Sequence, residues 1–223
     1  MSRAPEYDRG HVLAEAMKVF WRDGYDATSI QKLTAAMDIN RGSLYQAFGS
    51  KAGLFEEVLK YYVDHFQDPV GALVANVEPA VAIRSVFYAM FLIDNPKYNS
   101  WGCLLYNTVS ELTHTEPELA GRATQYLQEL SDFFEVRINA AQQQGQMNQN
   151  CSAAVYGKYL ITLCGGLRLA EKMNVEKSAL KTMIDMGIAP MLANFSAQTL
   201  DASGNVETLP EATVAVDFGP LSK

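Results

Sequence analysis

Residues 28–54 read TSIQKLTAAMDINRGSLYQAFGSKAGL, and this stretch decides the fold of the N-terminal part of the chain. Ile30, Leu33 and Met37 recur at helical spacing and predict a short helix that buries one side. Asp38 tolerates the left-handed conformation, so it can end that helix in a tight turn. A second short helix follows after three residues, and two helices joined in this way are typical of a helix-turn-helix.

The second short helix carries the predicted recognition surface. Asn40 is a strong N-cap residue, and Leu44 and Phe48 lie one turn apart, so we expect both to face inward. The positions left on the outside or at its edge are Arg41, Gly42, Ser43, Tyr45 and Gln46.

These side chains suit a DNA groove. Arginine binds guanine through two hydrogen bonds, glutamine reads adenine, and the hydroxyl of serine or tyrosine holds phosphates. Gly42 permits the close approach of a large partner. Lys51 follows the cap residue Ser50 at a helix N-terminus, where a phosphate can bind, and Thr28 can donate at the start of the preceding helix. An ordinary helical hairpin with solvated polar residues is the alternative.

At these residues the sequence resembles the tetracycline-repressor (TetR/AcrR) family of bacterial transcriptional regulators. The resemblance covers residues 8–64 and is carried by FWRDGYDATS at residues 20–29 and by the pattern GSLYxxFxSK at residues 42–51. It implies double-stranded operator DNA as the partner. It also implies base or backbone contacts for Arg41, Ser43 and Gln46, phosphate contacts for Thr28, Tyr45 and Lys51, and a capping role for Asn40.

One departure from the family pattern concerns the fourth helix. The family often has Glu in the turn after the Ser-Lys pair, where this chain has Ala52 and Gly53. The change removes a capping-box partner, so we expect a slightly looser start of that helix.

Helical spacing continues to about residue 195 and predicts an all-α protein of about nine helices. By resemblance, residues 1–50 form the helix-turn-helix DNA-binding domain, about 51–66 form a connecting helix, and 67–197 form an effector-binding and dimerisation domain. Residues 198–223 are rich in Gly and Pro, and we expect a flexible tail or one short strand there.

The larger domain is expected to bind a small-molecule effector and to form a homodimer. The candidate effector residues, which include a GCLLxN segment at 102–107 that resembles one branch of the family, are Tyr88, Phe91, Trp101, Cys103, Tyr106, Asn107 and Tyr126. The candidate dimer residues, on two apolar helices with closely crossing glycines, are Tyr159, Leu163, Gly166, Leu180, Ile184, Gly187 and Met191. Burial of either set in the core of one chain is the alternative.

Cys103 suggests a sharper hypothesis for the effector. If Ser100 is the N-cap, the thiol lies in the first turn of a helix, where the helix dipole favours the thiolate. That arrangement is typical of an oxidant or electrophile sensor. A small, buried, inert cysteine is the alternative.

Several classes of protein are disfavoured by what the sequence does not contain. The chain has no GxSxG, HExxH, CxxC, GxxxxGK or GxGxxG motif, and its three histidines are far apart, so we expect no enzyme, no cofactor and no metal site. With no secretory signal and no run of about 18 apolar residues, we expect a cytoplasmic bacterial protein that does not bind membranes. A helical ligand carrier or enzyme without DNA binding is the main alternative, and a scaffold acting through its C-terminal helices is another.

The net charge of −7 argues against nucleic-acid binding only until it is resolved by region. Residues 1–60 carry eight Lys or Arg and eight Asp or Glu, so the excess acid lies wholly in the remainder of the chain. With few cations near the predicted recognition helix, we expect DNA affinity to depend only modestly on salt.

Overall fold

The computed structural model describes residues 8–66, 76–92 and 99–193, which form nine α-helices and two short 3-10 helices. The α-helices are α1 (Arg9–Asp23), α2 (Ile30–Met37), α3 (Arg41–Phe48), α4 (Lys51–Phe66), α5 (Pro79–Phe91), α6 (Leu104–Leu112), α7 (Pro117–Gln143), α8 (Ala153–Lys172) and α9 (Lys177–Ile188). The 3-10 helices are Asn99–Trp101 and Ala189–Met191. The predicted all-α class is confirmed, and the predicted tail at residues 198–223 lies outside the described residues.

Side-chain caps fix where α2, α3 and α4 begin. Ser29, Asn40 and Ser50 each accept a hydrogen bond from the backbone N–H three residues further on, at 3.2, 2.8 and 3.0 Å respectively. Each cap satisfies an N–H that has no partner within its helix. The capping roles predicted for Asn40 and Ser50 are confirmed.

Residues with positive φ end α1, α2 and α3. Gly24 after α1 has φ of 83°, and Gly49 after α3 has φ of 72°. Asp38 after α2 adopts φ of 50°, as its side chain allows, so the predicted turn is confirmed.

The described residues divide into two compact units. The first contains residues 8–66 and 103–126, and the second contains 76–102, apart from the undescribed 93–98, and 127–193. Each unit has its own buried apolar side chains.

The first unit is built around aromatic rings of α1 and α4. The Phe20 ring meets the Phe55 ring edge-on at 4.7 Å between centroids, and Tyr25 lies 5.0 Å from Phe55. Leu33 of α2 and Leu44 of α3 are fully buried. A buried Leu or Phe side chain contributes about 1.5–3 kcal/mol, so these contacts hold the short helices α2 and α3 in place.

Gly53 lets the end of α3 approach the start of α4. A Cβ atom at Gly53 would collide with the backbone carbonyl oxygen of Phe48, and its N–H donates to the Ser50 cap. The absence of a side chain at Gly53 therefore allows the backbone at the start of α4 to lie close to the backbone at the end of α3. The loosening of α4 expected from the missing Glu stays a prediction.

The second unit packs α5, the later part of α7, α8 and α9. Phe87 and Phe134 are fully buried, and the centroids of their rings lie 5.6 Å apart. A Cβ atom at Gly157 would stand 2.9 Å from the carbonyl oxygen of Ser131, so the glycine permits a close crossing of α7 and α8.

A buried carboxylate organises the contact between α5 and α9. Asp185 is 2% exposed and accepts a hydrogen bond from the Tyr88 hydroxyl at 2.7 Å. The Lys181 ammonium lies 2.9 Å from the same carboxylate, and Arg84 Nε lies 3.9 Å from it. Burial and the bond to Asp185 raise the pKa of Tyr88, and the hydrogen bond to Asp185 raises the pKa of Lys181.

Candidate nucleic-acid interface

The exposed face of α3 is the candidate nucleic-acid interface. Arg41, Gly42, Tyr45 and Gln46 are all exposed, while the opposite side of the helix is anchored by buried Leu44 and Phe48. Positions 41, 42, 45 and 46 fall on one side of a helix because one turn takes 3.6 residues. The structure therefore brings four of the predicted contact residues together on one helical face.

Arg41 and Tyr45 form a pair on this face. Nη2 of Arg41 donates to the Tyr45 hydroxyl at 3.4 Å, and the guanidinium lies 5.5 Å from the centre of the ring. An arginine has five N–H donors, so most of them stay available for an external acceptor. Both side chains can therefore reach a groove edge and a neighbouring phosphate from the same turn of helix.

Asn40 and Ser43 contribute less freely. The Asn40 side chain is exposed, but its Oδ1 atom is occupied by the N–H of Ser43. Ser43 itself is half-buried. Their predicted DNA contacts stay predictions.

Thr28 and Lys51 are not on the α3 face. Thr28 is 1% exposed, and its hydroxyl donates to the carbonyl of Gly24 at 2.6 Å. The hydroxyl that was expected to donate to a phosphate is therefore used in a hydrogen bond within the turn. The Lys51 ammonium lies 4.2 Å from the centre of the Tyr25 ring, and burial lowers its pKa. In this conformation Lys51 makes a cation–π contact rather than presenting an open charge.

Two charged residues of this unit, Lys32 and Glu111, were not singled out from the sequence. Lys32 on α2 has a side chain that is 52% exposed, and its ammonium lies 3.3 Å from Asp23. The sequence did offer a signal for Lys32, because it lies beside Leu33 on the helix and outside the set of positions predicted to face inward. Glu111 of α6 accepts hydrogen bonds from the backbone of the turn between α1 and α2, which lies about 85 residues earlier, and no sequence spacing indicates such a contact.

Four candidate effector residues lie in the first unit. Tyr106, Asn107 and Tyr126 are half-buried, and Cys103 is 7% exposed. The Tyr62 hydroxyl donates to the sulfur of Cys103 at 3.5 Å.

The expected helix start before Cys103 is wrong. Ser100 belongs to the 3-10 helix, Gly102 has φ of 73°, and α6 begins at Leu104 with Cys103 as its N-cap residue. The left-handed break at Gly102 separates Ser100 from α6, so the thiol precedes the first turn instead of lying in it.

Three candidate effector residues lie in the second unit. The Tyr88 hydroxyl is bonded to Asp185, and Phe91 is 1% exposed with the Arg168 guanidinium 4.4 Å from its ring centre. Trp101 is half-buried. Phe91 is a core residue in this conformation, and the effector site as a whole stays a prediction.

The predicted dimer residues divide into two groups. Leu180, Ile184 and Met191 are at most 2% exposed, so they belong to the core of the chain itself and the predicted interface is corrected at these positions. Tyr159 is 42% exposed, and its hydroxyl donates to the carbonyl of Gly187 at 3.1 Å. Gly166 is exposed, and Leu163 lies against Gly187, where a Cβ atom would be 2.6 Å from it.

One side of α8 is exposed and largely apolar along its whole length. This α8 stripe follows a spacing of four and three residues and consists of Val155, Tyr159, Thr162, Gly166, Leu169 and, directly after the last residue of the helix, Met173. Leu169 and Met173 are 59% and 69% exposed, and Met186 on α9 is 53% exposed. These positions recur every 3.6 residues on average, so they lie on one face of the helix, and a partner helix can pack against such a face.

A helix-turn-helix with an exposed polar α3, followed by an all-helical second part, defines the class of two-part helical regulators. Two family descriptions match the chain: "Bacterial regulatory proteins, tetR family" over residues 12–58, and "Tetracyclin repressor-like, C-terminal domain" over residues 82–186. The chain belongs to the tetR family, and it is a transcriptional regulator rather than an enzyme.

Individual relatives and solved structures agree with this assignment. The uncharacterized HTH-type transcriptional regulator YezE of Bacillus subtilis is 28% identical over 191 residues, covering 85% of this chain and 98% of YezE. The HTH-type transcriptional repressor ComR of Escherichia coli is 28% identical over 176 residues, covering 76% of this chain and 82% of ComR. A cysteine mutant of the TetR family regulator CifR, solved with a 26-bp operator DNA, matches with a TM-score of 0.70 and 28% identity, covering 83% of this chain and 98% of CifR.

The described residues offer neither a membrane-spanning helix nor a cluster of metal-binding side chains. In the three described ranges, no helix is both long enough and apolar enough to cross a membrane. Across those same residues, no group of three His, Cys, Asp or Glu side chains is placed to hold a metal ion.

Proposed function

We propose that the chain is a ligand-responsive repressor that binds a pseudo-palindromic operator as a homodimer and releases it when a small-molecule effector binds. The observation that carries this proposal is the α3 face, where Arg41, Tyr45 and Gln46 stand exposed on a helix fixed by its cap and its two buried anchors. The CifR complex with operator DNA and the repressor ComR support the same function. Such a regulator acts in the bacterial cytoplasm.

The division of labour follows from the same features. Residues 1–50 would bind DNA, 51–66 would connect, and 67–197 would bind the effector and form the dimer. Arg41 and Gln46 can bond to base edges in a major groove, whereas the Tyr45 hydroxyl suits a phosphate. Phosphate contacts give affinity to every sequence, and base contacts give preference among sequences.

The α8 stripe supports the dimer. Its exposed apolar side chains include Val155, Leu169 and Met173, and a stripe of this length on one helix is a surface that a second copy can cover. Two copies related by a twofold axis would present two α3 helices to successive major grooves of a pseudo-palindrome.

Substitutions on α3 test the DNA-binding face. We expect Tyr45→Ala to weaken binding to all sequences alike, because a phosphate contact is lost. We expect Arg41→Ala to make the free energy of DNA binding less favourable by about 1–3 kcal/mol and also to relax the preference among base sequences. The measurement is a gel shift at fixed salt, using fragments selected from random promoter DNA.

The matched control is Arg122→Ala, which removes the same charge from an exposed position on α7. This variant should bind as the wild type does. Wild-type affinity in both α3 variants would exclude the α3 face as the docking surface. Failure of the unmodified protein to retain any fragment would favour a helical ligand carrier instead.

A finer proposal concerns the effector: Cys103 is the sensing thiol. The sulfur accepts a hydrogen bond from Tyr62, and the Tyr62 ring meets the Trp21 ring edge-on at 5.1 Å. A group added to the sulfur would therefore press on aromatic contacts between α4 and α1. Such a contact offers a physical route from the thiol to the DNA-binding helices.

N-ethylmaleimide tests this proposal, because the thiol adds across its double bond without a leaving group or an external oxidant. We expect treatment of the wild type to weaken operator binding about tenfold, within the usual range of coupling between sites. Cys103→Ser should keep its affinity after treatment. Cys151→Ser, which replaces an exposed cysteine, should respond as the wild type does. An equal response in Cys103→Ser would exclude Cys103 as the sensor.

A further inference from the structure

Glu111 of α6 is hydrogen-bonded to the turn between α1 and α2. Its Oε2 atom accepts from the N–H of Tyr25 at 3.1 Å, and its Oε1 atom accepts from the N–H of Asp26 at 2.9 Å. Both oxygens of one carboxylate therefore bind two successive backbone donors. Hydrogen bonds to a charged acceptor are stronger than those between neutral groups.

The turn is shaped to receive this carboxylate. Gly24 has φ of 83°, and a Cβ atom on it would lie 3.0 Å from both oxygens of Glu111. The carbonyl of Gly24 accepts the hydroxyl of Thr28, the residue before the Ser29 cap of α2. The position of Glu111 is thus connected, bond by bond, to the start of the helix-turn-helix.

A second contact holds the same turn from α4. The Lys51 ammonium stands over the Tyr25 ring, and burial lowers its pKa while the negative charges of Asp26, Glu111 and Glu116 oppose that shift. Removing the charge of Glu111 would weaken this support as well as the two backbone bonds.

The two sides of the Glu111 contact come from different parts of the family pattern. Glu111 lies within residues 82–186, which match the C-terminal domain, whereas the turn lies within 12–58, which match the N-terminal domain. Both sides nevertheless belong to the same compact unit. The contact is therefore a direct link between the effector-binding part of the sequence and the helix-turn-helix.

We propose that Glu111 is a positioning residue for DNA recognition, whose two bonds to the turn between α1 and α2 couple the position of α6 to the helix-turn-helix. The proposal rests on the DNA-binding function inferred above. A displacement of α6 by about 1 Å would take both bonds beyond hydrogen-bond range. The turn would then lose its fixed geometry, and the start of α2 would lose its support.

The test compares Glu111→Gln with Glu116→Gln. The glutamine at 111 keeps one acceptor oxygen but places an NH₂ group against the second backbone donor, so one bond and the charge are lost. The substitution at 116 removes a nearby charge without touching either backbone bond. Hydrogen exchange of the amides of Tyr25 and Asp26 reports the contact directly, and the gel shift reports operator affinity.

In Glu111→Gln we expect the amide protons of Tyr25 and Asp26 to exchange about tenfold faster, because a hydrogen bond to a charged group is lost. We also expect this variant to bind the operator several-fold more weakly. Glu116→Gln should change both quantities much less, because it removes a charge that acts on Lys51 but leaves the two backbone bonds of Glu111 in place. Exchange at the buried residue Leu33 serves as the folding control, because a globally unstable variant would speed exchange there too.

A second measurement shows whether Glu111 couples α6 to the DNA-binding helices or only stabilises the turn. Since linkage is reciprocal, operator DNA should slow amide exchange within α6 of the wild type, and this effect should be lost in Glu111→Gln. Unchanged exchange at the turn, or equal protection of α6 in both proteins, would overturn the proposal. Failure of the wild type to bind DNA would contradict the proposed function, and the exchange at the turn would still show whether Glu111 fixes it.

Discussion

Replacing Leu169 with glutamate is expected to convert a dimer into a monomer and to weaken operator binding by about 10²–10⁴-fold. Leu169 lies in the α8 stripe and is 59% exposed in the isolated chain. A twofold interface would bring the new carboxylate of each copy into an apolar contact, which is costly for both. A monomer also loses the gain from holding two half-sites at once.

Light scattering after size exclusion measures the first effect, and the gel shift measures the second. The wild type should have twice the chain mass of 24.6 kDa, and Leu169→Glu should have the chain mass itself. Val136→Glu is the matched control, because Val136 on α7 is 67% exposed and lies outside the α8 stripe. A dimeric Leu169→Glu variant would place the interface elsewhere.

Replacing Asp185 with alanine is expected to lower the free energy of unfolding by about 3–5 kcal/mol. The carboxylate is 2% exposed and faces Tyr88, Lys181 and Arg84. Its removal leaves two positive charges near each other with less compensation, and it removes the acceptor of the Tyr88 hydroxyl. Breaking such a buried cluster at its centre is more damaging than removing an exposed ion pair.

Urea unfolding followed by circular dichroism gives the free energy directly. Asp132→Ala, at an exposed position on α7, should change stability by no more than about 0.5 kcal/mol. Asp185→Asn keeps a hydrogen-bond acceptor but not the charge, so it should fall between alanine and the wild type. Equal stability of Asp185→Ala and Asp132→Ala would show that the cluster does not stabilise the fold.

The parts of the structure that depend on local chemistry were predictable from the sequence. The caps at Asn40 and Ser50 and the left-handed Asp38 follow from the hydrogen-bonding habits of single residues and were placed correctly. The inward anchors Leu44 and Phe48 follow from helical spacing, which also defines the outward face of α3. Local rules therefore recover the helix-turn-helix almost completely.

The parts that depend on distant packing were not predictable in the same way. Ile184 and Met186 are both apolar and two residues apart, yet one is buried and the other is 53% exposed, and only the neighbouring helices decide which is which. The break at Gly102 moved the start of α6 past Cys103. The contact of Glu111 with the turn spans about 85 residues, beyond any sequence pattern.

The caps of the DNA-binding helices also bear on how this regulator responds to acid. Ser29, Asn40 and Ser50 begin α2, α3 and α4 with neutral side chains that neither gain nor lose a proton across the physiological pH range. Acidification therefore leaves the recognition helix capped. In a cytoplasm that turns acidic these three caps would persist, and any loss of operator binding under that stress would have to arise outside these three helix starts.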